Sequence, residues 1–141
     1  MNKKYKIGYT SGVFDMFHIG HLNILRKAKE QCDYLIVGVS TDEVVESYKH
    51  HLPIIPFEDR KAIVESIKYV DEVVAQDTMN KMNMWEKLHF DVMFHGDEWK
   101  GTPLYLQYEK EFAEVGVCIE YLPHTKGINS SMLREKILGK S

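Results

Sequence analysis

Two histidines three residues apart, His18 and His21, are the chemistry-bearing pair of this sequence. They lie in the run Gly12-Val13-Phe14-Asp15-Met16-Phe17-His18-Ile19-Gly20-His21, between an apolar stretch and a segment of helical periodicity. A helix start offers unpaired N–H groups and the positive end of a dipole, a setting for phosphate. At a spacing of three, both imidazoles can project from one helix face. Gly20 between them keeps side-chain bulk away from an approaching phosphate. Such rings donate hydrogen bonds to phosphoryl oxygens and stabilise charge as phosphorus becomes five-coordinate. On spacing alone the alternative is a helix start with two exposed histidines. The Gly-Lys-Ser/Thr ending of a P-loop is absent, so that mode of phosphate binding is excluded.

The elements that must position this pair are legible as a rhythm. Tyr5 to Tyr9 reads as a short strand ending at Thr10-Ser11-Gly12, and Leu22, Leu25 and Ala28 mark an amphipathic helix from Ile19. Tyr34 to Val39 is a near-continuous apolar run, as expected of a strand buried on both faces. Strand, helix, strand is the parallel crossover unit. The alternation continues with a helix over Phe57–Tyr69 carrying Ile63 and Ile67 on one face, and a strand over Val70–Val74. A helix over Met79–Leu88, a strand over Val92–Phe94 and a helix over Leu104–Val115 closed by Gly116 follow. A strand over Val117–Leu122 and a helix over Asn129–Leu138 complete the pattern. It predicts an α/β fold: a single-domain, Rossmann-like, open parallel five-stranded sheet with helices on both faces over 1–141. Such sheets bind ligands beyond the carboxyl ends of their strands. Glu43 to Pro56, with two prolines and Tyr48-Lys49-His50-His51, reads as a mobile loop over the site.

Composition narrows the function. The 141 residues carry 18 Lys+Arg and 21 Asp+Glu, a net charge of −3. Residues 1–70 hold 10 basic against 9 acidic side chains and residues 71–141 hold 8 against 12, so neither half forms a basic stripe. Extended nucleic-acid binding is therefore not expected. No run approaches the ~18 apolar residues of a membrane span, and no signal-type apolar core follows the basic start. Two cysteines, Cys32 and Cys118, suit neither a disulfide framework nor a zinc site. A cytoplasmic setting is the expectation. No protein metal site is expected, since His50-His51 has no partner at ligand spacing. Asp15 reads as a residue that orders its loop rather than as a base.

His18-Ile19-Gly20-His21 resembles the HxGH signature of the nucleotidyltransferase superfamily, with Gly12-Val13-Phe14-Asp15 as its lead-in. Three further segments resemble the cytidylyltransferases, and glycerol-3-phosphate cytidylyltransferases above all. They are Glu58-Asp59-Arg60-Lys61 through Val73, His95-Gly96-Asp97-Glu98-Trp99, and His124-Thr125-Lys126-Gly127-Ile128-Asn129-Ser130-Ser131. The resemblance implies transfer of CMP from CTP to a small phospho-alcohol, with Mg²⁺ accompanying CTP and a homodimer as the working unit. It implies that His18, His21, Lys49 and Arg60 are catalytic. It places Gly12, Val13, Phe14, Gly20, Asp97, Thr125, Gly127, Ile128 and Ser130 at the nucleotide. Lys49, Arg60 and Lys68 fall to the substrate phosphate. Val13, Lys68, His124 and Asn129 depart from the family pattern. They leave ethanolamine, choline or polyol phosphates open as acceptors. They also leave open ATP-dependent adenylyl transfer and a non-catalytic nucleotide-binding subunit.

Overall fold

The computed structural model describes residues 3–123 and 130–138. Its strands are β1 (Tyr5–Gly12), β2 (Cys32–Ser40), β3 (Glu72–Gln76), β4 (Val92–Gly96) and β5 (Cys118–Leu122). Its helices are α1 (Ile19–Gln31), α2 (Asp42–Lys49), α3 (Phe57–Glu65), α4 (Lys81–Leu88), α5 (Pro103–Ala113) and α6 (Ser130–Ile137). The strands form one sheet in the order β3-β2-β1-β4-β5, and every pairing is parallel. β1 lies at the centre, between strands the chain visits in opposite directions. A crevice therefore opens above its carboxyl end, at the switch in strand order.

Each face of the sheet has its own core. Leu35, Val37 and Val39 of β2 point to one face, where Leu25 and Ala28 of α1 and Val64 of α3 cover them. Ile36 points to the other, with Tyr9, Met93, Met84 of α4 and Tyr105, Tyr108 and Phe112 of α5. The period-two alternation along β2 thus feeds two helical layers, which is why the run is apolar at almost every position. Gly38 is the exception, and a Cβ there would overlap the hydroxyl of Tyr9. That hydroxyl is buried against Gln76, whose amide in turn donates to the carbonyl of Thr78.

Several local expectations need correction. The chain from Glu43 is not a loop: Asp42–Lys49 is helical. The Thr41 side chain caps it by accepting from the Val44 N–H, and Asp42 and Glu43 in the first turn suit the helix dipole. Only 50–56 remain irregular, starting with His50 in the left-handed region (φ 62°). Helix α3 stops at Glu65 instead of Tyr69, and its buried positions are Arg60 and Val64; Ile63 is exposed. β1 extends to Gly12 because Thr10, Ser11 and Gly12 pair with Val37, Gly38 and Val39. Tyr105 and Tyr108 of α5 are buried against the sheet. Cys118 is exposed on the edge strand, whereas Cys32 is fully buried.

Candidate active site

The loop from Val13 to Phe17 turns β1 into α1 through two non-glycine residues in the left-handed region, Phe14 (φ 55°) and Met16 (φ 48°). Such conformations are disfavoured and persist where surrounding contacts impose them. Here the Phe14 ring is buried next to Gly12. The Asp15 carboxylate accepts from the backbone N–H groups of Ile54 (2.8 Å) and Ile55 (2.9 Å). Asp15 thus ties the loop after α2 to the loop before α1, an ordering role.

His18 is the N-cap of α1. Its Nδ1 accepts from the Gly20 N–H at 3.0 Å, while the Nδ1 of His21 accepts from the His18 N–H at 3.2 Å. This reciprocal arrangement is a capping box built from two imidazoles. It settles the tautomers: with both Nδ1 atoms accepting, each neutral ring carries its proton on Nε2. The rings stack at 3.9 Å between centroids. Burial lowers the pKa of His18, and burial followed by the charge of His18 lowers that of His21 to about 3. Both rings are therefore uncharged donors at neutral pH. The Nε2 of His18 is buried with no hydrogen-bond partner among the described residues.

These donors face a cavity of about 900 Å³ above the carboxyl ends of the strands. Of the residues the sequence reading singled out, Gly12, Val13, Phe14, His18, Gly20, His21 and Lys49 line it. Asp97 opens a single 3₁₀ turn, Asp97–Trp99, whose neighbours Gly96 and Glu98 face the cavity. Thr125, Gly127 and Ile128 lie outside the described residues. Ser130 opens α6, whose Arg134 reaches the cavity wall.

Two expected phosphate ligands are placed elsewhere. Arg60 is fully buried beneath the site. Its Nε donates to the carbonyl of Ile55 (2.8 Å), and one terminal nitrogen donates to those of Val13 (2.8 Å) and Ser40 (2.7 Å). The other terminal nitrogen pairs with Asp42 at 2.6 Å. The fork of the guanidinium is spent on three loops, so Arg60 is a structural clamp and not a phosphate ligand. Lys68 lies between the end of α3 and the start of β3, at the amino edge of the sheet and opposite the cavity. Its side chain rests over Tyr69.

The structure adds a cation that sequence reasoning missed. Lys81 lines the cavity, donates to the Ser11 hydroxyl at 2.6 Å, and is held down to about pKa 8 by burial. It is the first residue of α4, after the N-cap Asn80. A lysine at the positive end of a helix is electrostatically misplaced, and that was the available signal. His95, at the end of β4, also lines the cavity.

A family model described as cytidylyltransferase-like matches residues 9–136. The glycerol-3-phosphate cytidylyltransferase of Staphylococcus aureus is 36% identical over 132 residues, covering 93% of this chain and 94% of that one. An ethanolamine-phosphate cytidylyltransferase of Dictyostelium discoideum is 38% identical over 138 residues, 94% of this chain but 38% of that longer protein. Among solved structures, the lipopolysaccharide core biosynthesis protein of Thermoplasma volcanium superposes with a TM-score of 0.73. It is 22% identical over 88% of this chain and 99% of that one, a likeness in fold.

Proposed function

Since this chain belongs to the cytidylyltransferase-like family, we propose that it transfers CMP from CTP to a small phospho-alcohol, glycerol 3-phosphate foremost. The products are a CDP-alcohol and pyrophosphate. The observation that carries the reading is the stacked pair of neutral imidazoles at the N-terminus of α1, aimed into a cavity that also holds Lys49 and Lys81.

A phosphate oxygen of the acceptor attacks the α-phosphorus of CTP. The new P–O bond forms as the bond from that phosphorus to the bridging oxygen breaks, and pyrophosphate leaves. The attacking oxygen is already ionised at neutral pH, so no general base is required. Catalysis then consists of alignment and neutralisation of developing charge. The Nε2–H groups of His18 and His21 and the N-terminus of α1 supply donors to the triphosphate. Lys49 adds charge from the end of α2, and Lys81 faces the acceptor phosphate across the cavity. Asp15 and Arg60 hold the two flanking loops in register without touching substrate.

Mg²⁺ would neutralise the triphosphate and assist departure of pyrophosphate. The donor set fits a cation that arrives with the nucleotide. Both oxygens of Asp15 accept backbone N–H groups, Glu98 is the other carboxylate on the described cavity wall, and the described residues hold no cluster of three metal-ligating side chains. Glu98, on the cavity wall, is the side chain that would meet it.

Pyrophosphate release measured with CTP or ATP against glycerol 3-phosphate, ethanolamine phosphate and choline phosphate tests this function. Turnover with CTP and glycerol 3-phosphate is expected. Turnover with ATP alone would refute cytidylyl transfer. A homodimer in the cytoplasm completes the proposal. The dimer is supported by exposed apolar Ile19, Leu52 and Ile54 beside the site, and the compartment by two unpaired cysteines. Light scattering at twice 16.5 kDa would support the dimer.

A further inference from the structure

We propose that His95 and Tyr105 read the hydroxyl groups of the acceptor, so that the wall between β4 and α5 selects a phospho-alcohol bearing free hydroxyls. This rests on the cytidylyl-transfer reading and deepens it.

The cavity divides by chemistry. One side, at the N-terminus of α1, presents His18, His21 and Lys49, the groups suited to a triphosphate. The other side is aromatic: the His95 ring meets Tyr105 edge-on at 4.9 Å and Trp99 at 5.7 Å, and Tyr105 meets Tyr108 at 5.4 Å. Tyr108 is fixed by its hydroxyl, which donates to the carbonyl of Met79 at 3.1 Å. Lys81 stands between the two sides, bound to Ser11 on β1 and close enough to His95 to depress its protonation. A small acceptor whose phosphate pairs with Lys81 therefore has its carbon chain against this wall.

Two polar atoms remain on that wall. The Nδ1 of His95 accepts from the Gly96 N–H at 3.0 Å, which puts the ring proton on Nε2. That Nε2 makes no hydrogen bond among the described residues, and His95 lines the cavity. The Tyr105 hydroxyl likewise makes no hydrogen bond among the described residues, and Tyr105 lines the cavity. Burial and the charge of Lys81 keep His95 neutral, with a pKa near 3, so the ring is a fixed N–H donor and never a counter-charge. A donor edge beside a lysine repels an ammonium group and suits a hydroxyl oxygen. Tyr105 supplies both an O–H and an acceptor, so the pair can meet two adjacent hydroxyls.

The test compares glycerol 3-phosphate with n-propyl phosphate, which lacks the hydroxyls, at saturating CTP. The wild type is expected to prefer glycerol 3-phosphate in kcat/KM. His95→Met, which keeps the bulk and removes the donor, should lower that preference about five- to tenfold. His95→Gln, whose amide nitrogen reaches the position of Nε2, should retain it. Tyr105→Phe keeps the ring packing and should lower the preference about threefold or more. The KM for CTP should not move. A preference unchanged in both His95→Met and Tyr105→Phe would overturn the inference. So would an equal loss for both acceptors, or a rise confined to the KM for CTP. A wild type that releases no pyrophosphate from CTP with any acceptor would instead overturn the reading beneath it.

Discussion

Replacing Arg60 separates a clamp from a phosphate ligand. The side chain is fully buried and donates to three backbone carbonyls besides pairing with Asp42. Arg60→Met fills much of the same volume but leaves the carbonyls of Val13, Ser40 and Ile55 without donors. Breaking a buried charge-assisted network of this kind costs about 3–5 kcal/mol. Asp42 keeps some contact with solvent and can rehydrate, so the lower half of that range is expected. For 141 residues the unfolding entropy near the midpoint is about 0.3 kcal/mol/K, and 3–4 kcal/mol corresponds to a fall in Tm of about 10–13 °C. Arg60→Lys keeps one charge without the fork and should lose about half as much. Thermal melts followed by circular dichroism measure this, alongside steady-state kinetics well below the midpoint. In the folded fraction, the KM for the phospho-alcohol should change little. A Tm within about 2 °C of wild type, together with a hundredfold rise in acceptor KM, would place Arg60 on substrate and refute the clamp.

Three further outcomes follow from the same geometry. His18→Asn keeps an N-cap acceptor but loses the Nε2 donor, so thermal stability should stay near wild type while turnover falls about 10²–10³-fold; a variant retaining most of its turnover would remove His18 from the chemistry. His21 and His95 have folded pKa values near 3, below the unfolded value of 6.5, so the unfolded chain takes up protons that the native rings refuse. Stability is therefore complete above about pH 6.5 and lost as pH falls toward 3, by at most about 2 kcal/mol per ring between pH 7 and 5. Urea midpoints at the two pH values should show the drop, and His95→Met should shrink it; an unchanged drop in that variant would contradict the buried neutral ring. Lys81, with a pKa near 8, loses its charge as pH rises through that value, so acceptor KM should climb in mildly alkaline buffer. Lys81→Arg should flatten the climb, and a pH-independent KM in the wild type would argue against Lys81 as the phosphate partner.

Much of the architecture was legible because burial on both faces writes a simple pattern. The apolar run of β2, the three- and four-residue spacing of Leu22, Leu25 and Ala28, and the return of strand-like runs required a parallel sheet. What went astray was local. Helix α2 hid in a segment with one buried residue, Val45, where two prolines beyond its end suggested a loop. The helix rests on its Thr41 cap and its acidic first turn, signals weaker than periodicity but present in the sequence.

For the site, residue type and spacing determined the histidine pair. His18 and His21 need only one helix start to meet, so their relation is local and survives in one dimension. The fates of the basic residues were decided in three dimensions. Arg60 and Lys68 belong to one stretch of chain, yet one is buried beneath the cavity and the other lies at the far edge of the sheet. Lys81 opens α4 and His95 lies in β4, and they come together because β4 pairs with β1, whose Ser11 holds Lys81. A cation's role depends on which carbonyls, carboxylates or open space surround it, and those neighbours are brought by packing between distant segments.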